Sequence, residues 1–161
     1  DAVLKTKKYI KNKYFLMLLP DDLIMKKNCS KEMIKIHKKQ KASVMASLRV
    51  NKNNVDRWGI FSIAKTLDKD NFKISDVIEK PKTKDAPSNN AVIGRYILNK
   101  DIFNFLKNQK KGKGGEIHIT DAIRKMIFKK YFFIGHKFAG KYLDCGTMNG
   151  YIKSGIEISK L

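Results

Sequence analysis

The apolar residues of the chain fall into contiguous runs and into runs spaced by three and four positions. The longest contiguous run, Tyr14–Leu19, ends at Pro20 and predicts a strand buried on both faces, as in a parallel sheet. Residues 117–128 carry apolar side chains at helical spacing. Strands and helices alternate along the chain, which predicts a single α/β domain with a mixed sheet over residues 1–161.

The same patterns predict the other elements. A helix is expected to end within residues 2–10. Three residues are expected to cap later helices: Ser30 a helix over 31–41, Asp101 a helix that ends near 107, and Thr147 a helix that ends at 158. Further strands are predicted at residues 42–50, 59–64, 72–79, 91–98, 131–138 and 141–143. Loops are predicted at 51–56, 81–90 and 110–115.

The chain is strongly basic, with 35 Lys and Arg against 15 Asp and Glu and a formal net charge of +20. A lysine-rich nucleic-acid-binding module is therefore an alternative function. Only four of the basic residues are arginine, the side chain that reads phosphates and bases in a bidentate manner, and the lysines are scattered. We therefore expect a solvated surface and no nucleic-acid partner. A salt titration against DNA separates the two possibilities, because nucleic-acid binding weakens steeply with salt.

The spacing of the cysteines and histidines and the lack of a long apolar run bear on the cellular location expected for the protein. Cys29 and Cys145 form no CxxC pair and the three histidines are dispersed, which argues against a zinc site or a disulfide framework. No apolar run is long enough for a membrane span, and no basic-then-apolar leader follows Asp1. We expect a cytoplasmic protein without a membrane partner.

Carboxylates follow two of the predicted strands. Asp21 and Asp22 follow Pro20 just past the strand at Tyr14–Leu19, and Asp144 follows a short apolar run two residues before a glycine. Open α/β sheets bind ligands at such strand ends, and Mg²⁺ prefers carboxylate oxygens beside substrate phosphates. The alternatives are an acidic turn at the first position and an Asp–Gly turn at the second.

Glu79 and Lys80 stand at another strand end, where continued strand geometry would point them to opposite faces. Glu79 could accept hydrogen bonds from a sugar diol and Lys80 could contact a phosphate; the alternative is an exposed turn before proline. Gly59 and Gly94 lie at or within strands, where glycine indicates a close backbone approach or a bulge. The lysine–glycine segment 110–115 lacks the phosphate-loop pattern and predicts a flexible loop.

The order of these motifs resembles that of bacterial glucose-1-phosphate uridylyltransferases over residues 1 to about 160. The shared stretches are LLPDDLI, a Trp-Gly pair, VIEKPK, APSNNAVIGRYIL, GGEIHITDAI and YLDCGTMNGY. The resemblance implies the nucleotide-diphospho-sugar transferase fold, which is Rossmann-like with a mixed sheet. It also implies the reaction of UTP with glucose 1-phosphate, giving UDP-glucose and pyrophosphate with Mg²⁺ as cofactor.

The resemblance also implies roles for individual residues. Asp21 resembles the metal-binding aspartate of the LPD motif, whereas Asp22 stands at a position that the family varies. Asp144 resembles an aspartate near the same Mg²⁺ and the sugar phosphate. Glu79 resembles the glutamate that binds the glucose hydroxyls, and Lys80 the lysine that binds the glucose phosphate. Asp21 and Lys80 are thus the residues expected to support catalysis.

Three further residues are expected to line the sugar, and one family feature has no counterpart. Gly59 and Gly94 resemble glycines whose backbones line the sugar, and Asn89 lies in the same loop. The family's first strands and its glycine-rich loop around the UTP phosphates are not found in these residues. We therefore expect the 161 residues to be the C-terminal two-thirds of a catalytic domain, inactive by themselves. The complete enzyme is expected to be a homo-oligomer, a dimer or tetramer.

Overall fold

The computed structural model describes residues 2–109, 115 and 117–160, and within them the chain forms eight strands and five α-helices. In chain order these are α1 (Ala2–Lys5), β1 (Tyr14–Leu18), β2 (Asp22–Met25), α2 (Cys29–Gln40), β3 (Ser43–Arg49), β4 (Gly59–Thr66), β5 (Asn71–Glu79), β6 (Asn90–Asn99), α3 (Ile102–Lys107), α4 (Ile119–Phe128), β7 (Phe133–Lys137), β8 (Lys141–Asp144) and α5 (Met148–Ile158). Short 3₁₀ helices cover Thr6–Tyr9, Lys52–Arg57 and Thr83–Asp85.

Six strands form one mixed sheet in the order β1-β6-β3-β7-β5-β4, as the alternation of strands and helices predicts. β3 and β7 run parallel, and the other neighbouring pairs are antiparallel. One further pairing, between Ile60 of β4 and Ala91 of β6, brings the starts of these two strands together. β2 and β8 form a separate two-stranded ribbon. The candidate site lies where this ribbon meets β6 and where β6 adjoins the start of β4.

The hydrophobic core has a part on each face of the sheet. Successive side chains of β3 alternate between these parts: Met45 belongs to the larger cluster, whereas Val44 and Ala46 belong to the smaller one. The larger cluster includes apolar residues of α3 and α4, and the smaller one includes Met33 of α2. The central strands are therefore covered on both faces.

The strand at residues 14–18 forms as predicted, but its predicted environment is wrong. Among the described residues, β1 pairs only with β6, in antiparallel orientation, and lies at the edge of the sheet. Leu16 is 36% exposed and Leu18 is 50% exposed, so the strand is not buried on both faces. A contiguous apolar run does not specify which of its faces has a neighbour, because the neighbours are distant in sequence.

Two of the three predicted helix caps are also wrong. Helix α2 begins at Cys29, one residue before Ser30, and the side chain of Asn28 accepts its capping bond from the Lys31 amide at 2.9 Å. Asp101 precedes α3, but its carboxylate accepts a hydrogen bond from the Tyr131 hydroxyl instead of capping the helix. The third prediction is confirmed, since Thr147 Oγ1 accepts from the Gly150 amide at 3.1 Å.

Sequence patterns did not predict strand β2, because four residues after a double aspartate carry too short a signal. The predicted loop at 110–115 lies outside the described residues except for Gly115. Within the described part of the chain, no helix is both long and apolar enough to cross a membrane.

Candidate active site

Asp21 and Asp144 lie side by side because strands β2 and β8 pair with each other. The ribbon places Asp22 opposite Asp144, and the carbonyl of Asp21 accepts a hydrogen bond from the Cys145 amide at 2.8 Å. A Cβ atom built on Gly146 would lie 3.0 Å from Asp21 Oδ2 and 3.3 Å from Asp144 Oδ1. Both carboxylates therefore border the space left by the absent side chain of Gly146, so the two aspartates that the resemblance places near one Mg²⁺ lie close together.

This pair of carboxylates has the chemistry of a divalent-cation site. Asp21 is exposed, and its carboxylate has no hydrogen bond or ion pair with any described residue. Asp144 Oδ1 accepts from the Gly146 amide at 2.9 Å, and Asp144 Oδ2 lies 3.0 Å from the Arg57 guanidinium. No group of three His, Cys, Asp or Glu side chains among the described residues could hold a metal. Two carboxylates nevertheless fit Mg²⁺, which keeps several waters and takes few protein ligands.

Asp22 joins the ribbon to the large sheet. Its Oδ2 accepts a hydrogen bond from the Gly94 amide of β6 at 2.8 Å, and its Oδ1 accepts one from the Tyr142 hydroxyl of β8. Burial raises the pKa of the Asp22 carboxyl, the two hydrogen bonds oppose this increase, and the charges of Asp21 and Asp144 add to it. Asp22, to which sequence analysis assigned no role, thus ties the ribbon to β6 and links β2 to the strand that carries Asp144.

Glu79, Thr120 and Gly59 form the second half of the site. Glu79 ends β5 opposite Gly59, the first residue of β4. The Thr120 hydroxyl, at the start of α4, donates a hydrogen bond of 2.7 Å to Glu79 Oε2. A Cβ atom on Gly59 would lie 3.3 Å from both Glu79 Oε2 and Thr120 Cγ2. The missing side chain at Gly59 therefore leaves space for the Glu79 carboxylate, which Thr120 orients.

Lys80 leaves the strand geometry on which the expectation of opposite faces was based. Its φ angle is +43°, in the left-handed region, and its amide donates to the Trp58 carbonyl at 3.0 Å. The backbone therefore turns directly after Glu79, and the Lys80 side chain is exposed beside the start of β4. Non-glycine residues rarely adopt a positive φ angle. Those that do are found more often at functional sites than elsewhere.

The structure accounts for the close approaches predicted at Gly94 and for the position of Asn89. A Cβ atom on Gly94 would lie 2.3 Å from Asp22 Oδ2 and 2.5 Å from Leu19 Cβ, so the chain's own side chains approach this backbone. Asn89 Nδ2 donates to the Val50 carbonyl at 3.1 Å, which holds the loop before β6 against the end of β3. Whether Gly94 and Asn89 also contact a sugar stays a prediction.

Tyr96 of β6 is a buried residue whose pKa responds to charges of the site. Its side chain is only 4% exposed, and burial, followed by the negative charges of Asp22, Glu79 and Asp21, raises its pKa. Sequence analysis assigned no role to Tyr96, although it lies within the APSNNAVIGRYIL stretch.

Arg57, Thr120 and Tyr142 were also missed. The Arg57 guanidinium lies 4.8 Å from the centre of the Trp58 ring besides its ion pair with Asp144. Thr120 and Tyr142 lie within the motifs that carry the resemblance, but their partners, Glu79 and Asp22, are 41 and 120 residues away along the chain. The signal available for Arg57 was its position directly before the Trp-Gly pair.

The two free cysteines are expected to react with alkylating agents at very different rates. Cys29 is 3% exposed and burial raises its pKa to about 12, so only about one part in 10⁴ is thiolate at pH 8. Cys145, directly after Asp144, is partly exposed. Native protein at pH 8 should therefore consume one equivalent of iodoacetamide quickly and a second only in denaturant. Rapid loss of both thiols, or a rapid thiol in Cys145→Ser, would contradict the burial of Cys29.

Comparison with known proteins places these residues in a group of related enzymes. The model of the family described as nucleotidyl transferase matches residues 1–160. A UTP–glucose-1-phosphate uridylyltransferase of Pseudomonas aeruginosa is 36% identical over 156 residues, which are 95% of this chain and 55% of that protein. A putative enzyme of the same name from Methanocaldococcus jannaschii is also 36% identical, over 98% of this chain and 55% of its own length. The chain thus spans about half the length of the curated relatives it matches.

Solved structures agree with this comparison. A UDP-glucose pyrophosphorylase complexed with UDP-glucose has a TM-score of 0.92 and 38% identity, covering 99% of this chain and 61% of that one. A UTP-bound enzyme of the same type from Acinetobacter baumannii has a TM-score of 0.83 and 30% identity, covering 98% of this chain and 54% of its own. The expected α/β fold with a mixed sheet is therefore confirmed.

Proposed function

Because the chain belongs to the nucleotidyl transferase family, we propose that it forms the sugar-phosphate and metal side of a uridylyltransferase active site. The reaction joins UTP and glucose 1-phosphate to give UDP-glucose and pyrophosphate. The observation that carries this proposal is that strand β6 joins the two groups: its Val92 borders the space at Gly59 with Glu79 and Thr120, and its Gly94 amide binds Asp22, next to the aspartate pair. A diol acceptor and a cation site close to each other suit a sugar phosphate.

Each residue has a role that its chemistry supports. The Glu79 carboxylate would accept hydrogen bonds from two glucose hydroxyls, with Thr120 holding it in position, while Gly59, Gly94 and Asn89 line the sugar. Lys80 would contact the sugar phosphate as it attacks the α-phosphorus of UTP in line. Asp21 and Asp144 would hold Mg²⁺, which when bound neutralises phosphate charge. The protein's contribution is positioning and charge compensation, without a covalent intermediate.

The proposal extends to location and assembly. Both cysteines are free, which suits a reducing cytoplasm. Helix α5 exposes large apolar side chains, with Met148 75% and Tyr151 64% exposed, which supports a homo-oligomeric parent enzyme. Sedimentation of the parent enzyme, before and after Tyr151→Lys, tests this part of the proposal.

The function is tested by measuring UDP-glucose binding in the presence of Mg²⁺ by isotope-edited NMR, which detects millimolar affinities. Glu79→Gln is expected to raise the Kd at least about tenfold, because it removes a charged acceptor of hydroxyl hydrogen bonds. The matched control is Glu157→Gln, since Glu157 lies on α5 and pairs with Lys141 and Lys160. Absence of UDP-glucose binding, or equal affinities for the two variants, would refute the assigned sugar site.

A further inference from the structure

Arg57 neutralises one of the two carboxylates that form the proposed metal site. Its Nη2 atom donates to Asp144 Oδ2 at 3.0 Å, while Oδ1 of the same carboxylate is taken by the Gly146 amide. A divalent cation between Asp21 Oδ2 and Asp144 Oδ1, the two oxygens that border Gly146, would share the Asp144 carboxylate with a guanidinium of the same charge sign. The two positive charges repel each other across this carboxylate, so binding of the cation weakens the ion pair with Arg57.

Stability does not explain this ion pair. The Arg57 side chain is 50% exposed and that of Asp144 is 29% exposed, and ion pairs with this exposure contribute little to folding. The pair also joins two separate parts of the fold, the 3₁₀ helix Lys52–Arg57 and the ribbon strand β8. A contact of little structural value at the centre of a candidate site indicates a functional role.

The Arg57 side chain has a second contact in the structure and a second possible partner in a bound substrate. Its guanidinium already lies over the Trp58 ring at 4.8 Å, a contact that can hold it after it leaves Asp144. The next residue, Trp58, accepts a hydrogen bond from the Lys80 amide at 3.0 Å, so Arg57 is close in the fold to the proposed phosphate-binding lysine. A guanidinium released here would lie where substrate phosphates gather, and its planar group suits phosphate oxygens.

We propose that Arg57 is an exchangeable counter-ion: it holds Asp144 in the metal-free protein, gives way to the divalent cation, and then contacts a substrate phosphate. This inference rests on the proposed function, because it requires Asp144 to be a metal ligand. Loss of Arg57 should strengthen metal binding, because it removes a competing positive charge. The same substitution should weaken phosphate binding, because it removes a ligand of the phosphate. A merely structural role would change neither affinity in this manner.

The test uses Mn²⁺ alone as the probe, with free ion measured by electron paramagnetic resonance in 0.15 M salt. Arg57→Gln is expected to bind Mn²⁺ about fivefold more tightly than the unmodified protein, as expected from removing one exposed competing charge. Arg57→Lys keeps the charge and should retain the unmodified affinity. Lys39→Gln, at the exposed end of α2, controls for the loss of one positive charge. With Mn²⁺ saturating, inorganic phosphate should bind Arg57→Gln several-fold more weakly.

Asp144→Asn distinguishes failure of this inference from failure of the proposed function. If Asp144→Asn weakens Mn²⁺ binding while Arg57→Gln leaves it unchanged or weaker, the metal site stands and the exchange is refuted. If Asp144→Asn has no effect, or no variant binds Mn²⁺, the metal site and the exchange both fail. If Lys39→Gln binds Mn²⁺ as tightly as Arg57→Gln does, a specific role for Arg57 is also refuted. Circular dichroism of each variant verifies the fold.

Discussion

Replacing Lys80 with alanine is expected to lower turnover about 100- to 1,000-fold in a form of the protein that converts UTP and glucose 1-phosphate. This loss corresponds to about 2.7–4 kcal/mol, the cost of deleting one group that stabilises a transition state. The reason is that two sets of phosphates come together during transfer, so that a nearby ammonium matters more then than in the bound substrate. The measurement is the rate of pyrophosphate release at saturating substrates, and KM should change less than kcat.

Two further substitutions separate the charge of Lys80 from its unusual backbone. Lys80→Gly should lower turnover as much as Lys80→Ala without destabilising the fold, because glycine adopts a φ of +43° at no steric cost. Lys82→Ala removes an exposed positive charge two residues away and should leave turnover within about twofold. Near-normal turnover of Lys80→Ala would show that another lysine compensates the phosphate charge.

Gly94→Ala is expected to destabilise the fold by roughly 3 kcal/mol, a large value for the addition of one methyl group. The added Cβ would lie 2.5 Å from Leu19 Cβ, an atom bonded to backbone that no rotamer can move, and 2.3 Å from Asp22 Oδ2. Displacing Asp22 would also break its hydrogen bond to the Gly94 amide. The change should appear as a lower urea midpoint with an unchanged slope.

Gly155→Ala is the matched control for this prediction. Gly155 lies in α5, is exposed, and has no atom within 4 Å of a built Cβ. Alanine should therefore stabilise the protein by about 0.5–1 kcal/mol, because it favours the helical backbone. Equal urea midpoints for Gly94→Ala and Gly155→Ala would mean that β6 does not pack against Leu19 and Asp22 as described.

Local patterns were sufficient to predict most of the secondary structure. The strands from β3 to β7 and the helices α2, α4 and α5 were predicted within a few residues, because their side-chain periodicity is a property of adjacent positions. Errors occurred where a short segment depends on a distant partner. β2 exists only because it pairs with β8, more than a hundred residues later in the chain.

The residues of the candidate site show the same difference between what local patterns predict and what distant partners decide. Motif order in the sequence was sufficient to select Asp21, Asp144, Glu79 and Lys80 as candidates, and these are the residues on which the proposed function rests. The sequence did not reveal their neighbours, because hydrogen bonds such as Thr120 to Glu79 and Tyr142 to Asp22 join segments whose separation carries no periodic signal.

The sequence by itself thus determined the fold class, the family resemblance and the candidate acids and bases, since these depend on residue type and spacing along the chain. Only the tertiary structure decided which charges meet. It placed Arg57 on Asp144, joined Asp22 to Gly94 and Tyr142, and buried Tyr96 in β6. The physical reason is that electrostatic and hydrogen-bond energies depend on distances through space, which sheet pairing sets and sequence separation does not.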